Sequence, residues 1–156
     1  MIVAIDVEDD GWNAIPALED LARAAVSTAL AEAGVTGQNV EIAILFTGDA
    51  TIAGLNAEWR GKAVPTNVLS FPAEAFPLPG GEARPLGDIV LAYGVVSSEA
   101  AEQGKNLPQH ATHLIVHGVL HLLGFDHEDD DAASEMEALE TRILKGLGIS
   151  GPYERQ

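Results

Sequence analysis

Residues His110 to His127 read HATHLIVHGVLHLLGFDH, and the order of apolar and polar positions in this stretch decides how the chain folds. At about 100° per residue, His110, His113, His117 and His121 lie within roughly 80° of one another and form one polar stripe. The remaining positions, among them Leu114, Ile115, Val116, Val119, Leu120, Leu122 and Leu123, are apolar almost all round, the pattern of a helix enclosed in a core rather than lying on it. A line of imidazoles in such a place must be hydrogen-bonded or metal-bound, because each unpaired buried polar group costs about 1 to 3 kcal/mol.

Outward from this helix the period changes to that of a sheet. Ile2 to Val7 and Val40 to Thr47 (VEIAILFT) are short, apolar and β-branched, and the Ala/Leu-rich stretch Pro16 to Ala33 between them is closed by Gly34. Strand, helix, strand follows, with Pro in the first turn and Gly past the last, and a crossover of this length suits parallel pairing. Asp49 is placed to cap a second helix, Ala50 to Trp59, which Arg60-Gly61-Lys62 ends. Asn67 to Phe71 and Asp88 to Tyr93 read as two more strands, giving a small sheet of about four that helices must cover. Pro72 to Leu86, with four prolines and the pair Gly80-Gly81, reads as a long loop, either a lid or a solvated excursion. Helices are expected over about Val95 to Gln103, Pro108 to Leu123 and Asp131 to Leu147, the run Glu128 to Asp131 supplying carboxylates to the last N-terminus.

The 156 residues, 47% of them hydrophobic, suffice for one ordinary core and are too few for two comfortable domains, so one domain spanning 1–156 is expected. Eight Lys and Arg stand against 24 Asp and Glu, a formal charge of −16, which opposes non-specific attraction to phosphates and anionic lipid and excludes a general DNA-coating protein. The absence of cysteine excludes a disulfide scaffold, a Cys-ligated zinc finger, an iron–sulfur cluster and a Cys nucleophile, and fits a reducing compartment. The segment MIVAIDVEDD lacks the basic and apolar stretches of an export signal, and no apolar run reaches the roughly eighteen residues of a membrane span. A soluble, cytoplasmic protein is the expectation.

His, Asp and Glu are then the available metal ligands. His117 and His121, at i and i+4, can present nitrogens to one ion, and a left-handed cap at Gly124 would turn His127 toward the same point. Three neutral imidazoles with an open fourth position describe a catalytic zinc site, one ion per chain. His113, one turn before His117, is expected to line the pocket or to act as an outer hydrogen-bonding partner. The spacing His-x3-His-x2-Gly-x2-His is that of the metzincin proteases, but their general-base glutamate is replaced by Gly118. The activated water is therefore used on something other than a peptide, or the base comes from elsewhere, which leaves a zinc peptidase or amidase as the alternative.

Four segments together resemble the YbeY endoribonucleases, also described as rRNA maturation factors. They are Asn56-Ala-Glu-Trp-Arg60, Thr66-Asn67-Val-Leu-Ser70-Phe71-Pro72, Leu86-Gly87-Asp88-Ile89, and His113 through His127 with Gly118, Gly124 and Asp126, joined by the acidic helix containing Met136-Glu137. The resemblance covers about residues 50 to 145; many relatives carry Asp at the position of Asn67. It implies an α+β fold with a small mixed sheet of about four strands and about five helices, the motif lying on a buried helix. It implies one zinc held by His117, His121 and His127, with His117 and Arg60 as catalytic residues. The activity implied is single-strand-specific cleavage of RNA, tied to 3′-end maturation of small-subunit ribosomal RNA and to ribosome quality control. Arg60 would stabilise charge on the phosphoryl oxygens through its planar fork of donors, and Lys62 is a candidate backbone contact. Asp126 and Asp88 are candidates for orienting a ligand imidazole or relaying a proton, Asp126 equally for serving the turn alone. The expected partners are ribosomal RNA in the small subunit or its precursor and a ribosomal or assembly-factor protein, since the acidity disfavours naked RNA; no membrane and no DNA is expected. A non-catalytic assembly factor with a structural metal is the alternative from another class.

Overall fold

The computed structural model describes residues 1–35, 39–73, 84–126 and 129–149. Strands β1 (Ile2–Val7), β2 (Val40–Thr47), β3 (Val68–Pro72) and β4 (Arg84–Ala92) form one sheet in the order β1-β2-β4-β3. Strands β1, β2 and β4 run parallel, the first two joined by the crossover through α1 (Leu18–Glu32), and β3 is antiparallel to β4. With α2 (Asp49–Arg60), α3 (Tyr93–Glu102), α4 (Leu107–Leu122) and α5 (Asp130–Gly146), the described residues give a four-stranded mixed sheet and five α-helices, an α+β fold. None of these helices is long and apolar enough to cross a membrane.

Alternation along the strands divides the sheet's side chains between two faces. Val3, Ile42, Ile44, Phe46, Ile89 and Leu91 face α1, α4 and α5 and make the main core, in which Trp12 of a 3-10 turn (Asp10–Ala14) donates its indole N–H to the Thr47 carbonyl at 2.9 Å. Leu69, Val90 and Ala92 face the other way and are packed by Ile52 of α2. Helix α4 is enclosed, with ten buried residues, as its nearly continuous apolar surface demands.

Three expectations need correction. Asp49 does not cap α2; Gly48 occupies that position, and the Asp49 carboxylate accepts from the Val95 amide at 3.1 Å, stitching α2 to the start of α3. Helix α1 begins at Leu18, two residues beyond Pro16, after Ala17 in the left-handed region. The stretch Pro72 to Leu86 is strand at both ends, Pro72 pairing with Gly87. Pro72 is tolerated because β3 is an edge strand, and Pro85 lies beyond the end of β3 next to a register shift at Glu41/Ile42, where fewer ladder bonds are demanded of it. The middle of that stretch, 74–83, lies outside the described residues.

Candidate active site

Helix α4 is set by local chemistry at both ends. The Asn106 side chain accepts from the Gln109 amide at 3.3 Å, Pro108 fills the first turn, and the Thr112 hydroxyl donates to the Pro108 carbonyl at 2.7 Å. At the other end Gly124, at φ +99°, closes the helix: its amide donates to the His121 carbonyl and the Phe125 amide to the Leu120 carbonyl, both at 3.0 Å. This is the left-handed cap expected of Gly124. Midway, a Cβ on Gly118 would meet two Ile89 carbons at 3.1 Å and the Ser70 hydroxyl at 3.2 Å. The position corresponding to a metzincin glutamate is therefore pressed against the sheet, and no general base can be placed there.

Two members of the histidine stripe, His113 and His117, face α5. His113 Nε2 lies 2.9 Å and His117 Nδ1 2.7 Å from the two carboxylate oxygens of Glu140, which is fully buried. Burial by itself would push the Glu140 carboxyl up, but the hydrogen bonds from His113 and His117 outweigh it and hold the group at about 2. An ionised carboxylate only accepts, so His113 Nε2 and His117 Nδ1 carry the hydrogens. The second nitrogen of His117 stands only 3.0 Å from His121 Nε2. Two bonds of about 2.0 to 2.1 Å from one divalent ion can span that separation, so the pair fits a metal. Among the described residues no third His, Cys, Asp or Glu joins this pair, and the expected third ligand, His127, lies outside them.

A second cluster sits one end of α4 away. His110, 4% exposed, places Nε2 3.0 Å from Glu99 Oε1 on α3, and Asn67 Nδ2 reaches the same carboxylate at 3.0 and 3.3 Å. Burial lowers the His110 pKa below the usual histidine value; Glu99 pulls it back up, while Lys105 and His113 reinforce the lowering. Between the two clusters, Asn67, Glu99, Lys105, His110, His113 and His117 line a cavity of about 250 Å³.

Of the remaining sequence candidates, Arg60 and Lys62 are exposed, and neither lines the cavity beside the histidines. The end of α2 that carries Arg60 reaches the edge strand on the face away from α4, where the Trp59 and Phe71 rings stand 5.9 Å apart, whereas the neighbouring Ser70 faces α4 and donates to the Gly118 carbonyl at 3.4 Å. Asp88 does not orient a ligand imidazole. It lies on the opposite face of the sheet with Asp6 and Glu41, in an open groove of about 900 Å³ floored by Leu45 and Phe71. Asp126 is half-buried just past the helix exit. Asn67 has a positioning role, its Oδ1 accepting from the Val68 amide at 2.7 Å while its amide holds Glu99. The residue sequence reasoning missed is Glu140. Met136, Leu139, Ile143 and Leu144 form the apolar stripe of α5, and Glu140 occupies a position within it, so a charge at a core-facing site was the available signal.

The class is an α+β protein whose mixed sheet is backed by a buried helix carrying one close imidazole pair, His117 and His121, with His117 braced by the buried Glu140 carboxylate. Comparison with known proteins narrows it. The profile described as Endoribonuclease YbeY matches residues 5–148. Proteins named Endoribonuclease YbeY from Azorhizobium caulinodans and Paramagnetospirillum magneticum are 52% and 46% identical to this chain, over 98% and 99% of it and 96% of each relative. A third from Dinoroseobacter shibae is 50% identical over 97% of this chain and 90% of its own. A solution structure of a Thermotoga maritima protein shares the fold at a TM-score of 0.58 and 22% identity, covering 99% of this chain and 100% of that one. The chain belongs to the YbeY endoribonuclease family, and with it to the nucleases that hydrolyse RNA.

Proposed function

We propose that this protein is a zinc-dependent, single-strand-specific endoribonuclease that matures the 3′ end of small-subunit ribosomal RNA and serves ribosome quality control. The observation that carries the reading is the approach of His117 Nε2 and His121 Nε2 to 3.0 Å, with His117 held from behind by Glu140 at 2.7 Å. His117, His121 and His127 would hold one zinc ion per chain. When bound, zinc supplies a water acidic enough to act as hydroxide near neutral pH.

The chain's own residues prepare that site. Glu140 fixes the His117 tautomer and ring orientation, and His113, sharing the carboxylate, keeps Glu140 from turning. Arg60 offers its exposed guanidinium to the phosphoryl oxygens of RNA passing the β3 edge. The substrate is ribosomal RNA within the small subunit or its precursor. A chain of net charge −16 gains little from free RNA, and a basic ribosomal or assembly-factor protein would deliver the target.

Elemental analysis of the purified protein, paired with cleavage of precursor ribosomal RNA before and after metal depletion, tests this. One zinc per chain and activity lost on depletion and restored by zinc are expected, with Arg60→Ala slowing cleavage by about 10²-fold while the metal is retained. Cleavage by metal-depleted protein at the original rate would refute the zinc role, and a normal rate in Arg60→Ala would remove Arg60 from the site.

A further inference from the structure

The cavity beside the imidazole pair has a polar arrangement that metal binding does not use. Glu99 Oε1 accepts from both His110 and Asn67 at 3.0 Å, whereas Oε2 receives one longer bond, 3.3 Å, from Asn67. A carboxylate has about four lone-pair sites, so Oε2 keeps acceptor capacity, and the side chain is 29% exposed while its His110 partner is buried. The carboxylate is thus clamped at one oxygen and offers the other. Lys105 and Gln103 line the same cavity and add hydrogen-bond donors, and His117 forms part of the wall. An occupant of this cavity therefore lies next to whatever His117 and His121 hold.

Resting on the endoribonuclease reading of that pair, we propose that the cavity is a subsite for one nucleobase flanking the cleaved phosphodiester, with Glu99 as its specificity-determining residue. A carboxylate near an RNA backbone repels phosphate, so it favours binding only through a donor edge of a base. An acceptor carboxylate beside a cationic donor complements a base carrying an exocyclic amine next to a carbonyl, which guanine and cytosine have. Uracil lacks the amine and adenine lacks the carbonyl. The space of about 250 Å³ holds one ring system and no duplex, consistent with a single strand whose base is turned out.

The test is single-turnover cleavage, by zinc-loaded protein, of single-stranded oligoribonucleotides identical except for the base on either side of the cleaved bond. Guanine or cytosine on one side should be favoured over uracil and adenine by about tenfold. In Glu99→Gln, which replaces the acceptor pair by one acceptor and an amide donor, that ratio should fall below about twofold. Lys105→Met, altering a side chain outside the Glu99 clamp, should raise adenine relative to guanine. Equal wild-type rates for all four bases overturn the subsite alone, as does a Glu99→Gln protein that keeps the wild-type ratio. No cleavage of any oligonucleotide overturns the reading of the imidazole pair, and the subsite with it.

Discussion

Helix α4 carries a carboxylate–imidazole cluster toward each end, and the two are built in opposite senses. In one, the carboxylate of Glu140 is buried at 1% exposure while His113 and His117 reach 15% and 21%. In the other, His110 is buried at 4% and Glu99 is 29% exposed. The buried member decides what the cluster presents. A carboxylate enclosed by two N–H donors stays ionised and braces both imidazoles, leaving His117 Nε2 facing His121 while His113 Nδ1 is buried. An enclosed imidazole, neutral because burial disfavours its charged form, steadies a carboxylate that points outward as an acceptor. One helix therefore carries imidazoles braced by a buried carboxylate beside a partly exposed carboxylate braced by a buried imidazole.

Substitutions at the two ends should separate these roles, beginning with the largest effect. His121→Ala removes one of the paired nitrogens and is expected to abolish RNA cleavage with loss of bound zinc, measured by elemental analysis and a precursor-RNA assay; an active, zinc-loaded His121→Ala protein would end the metal assignment. Glu140→Gln should keep the ligands but weaken zinc affinity by about 10- to 100-fold, read by competition with a chelator. The matching change at the other end, Glu99→Gln, should leave zinc affinity within about twofold; a comparable loss there would erase the distinction between the clusters.

Two smaller effects sharpen it. Gly118→Ala should destabilise the fold by about 1 to 3 kcal/mol in denaturant titrations, because Ile89 and Ser70 must yield to the added carbon. The pH dependence should differ as well. The folded pKa of His110 lies below 6.5, so the unfolded chain takes up the proton first. His110's contribution is fully present above about pH 7 and is lost as pH falls through 6.5 toward the folded value, at no more than about 1.4 kcal/mol per pH unit. Glu140, held at about 2 against an ordinary 4.5, loses its contribution only below about 4.5. Comparing wild type with His110→Phe by urea unfolding between pH 7.5 and 5.0 checks this: the slope in that window should shrink in the variant, and an unchanged slope would contradict the assignment.

Much of this was legible in the order of residues. Strands β1 and β2 fall where their apolar runs begin and end, because period and β-branching are local properties. The buried character of α4 and its Gly124 turn are likewise local, as is the capping of α5, where the Asp129 side chain accepts from the Ala132 amide at 2.7 Å. Asp88 could be offered only as a candidate because sequence gives a strand its alternation but not which face meets the helices. The sheet's far side, acidic at Asp6, Glu41 and Asp88 and roofed in part by α2, became visible only with the strand order.

Sequence by itself determined the elements, the histidine stripe, the i, i+4 pairing of His117 and His121 and the family, since all of these are set by residue type and spacing along one chain. Tertiary structure alone decided what stands behind the stripe. Glu140 is 23 residues from His117 and Glu99 is 11 from His110; no spacing rule links them, because each pair meets only when separate helices pack, and burial then sets which partner keeps its charge.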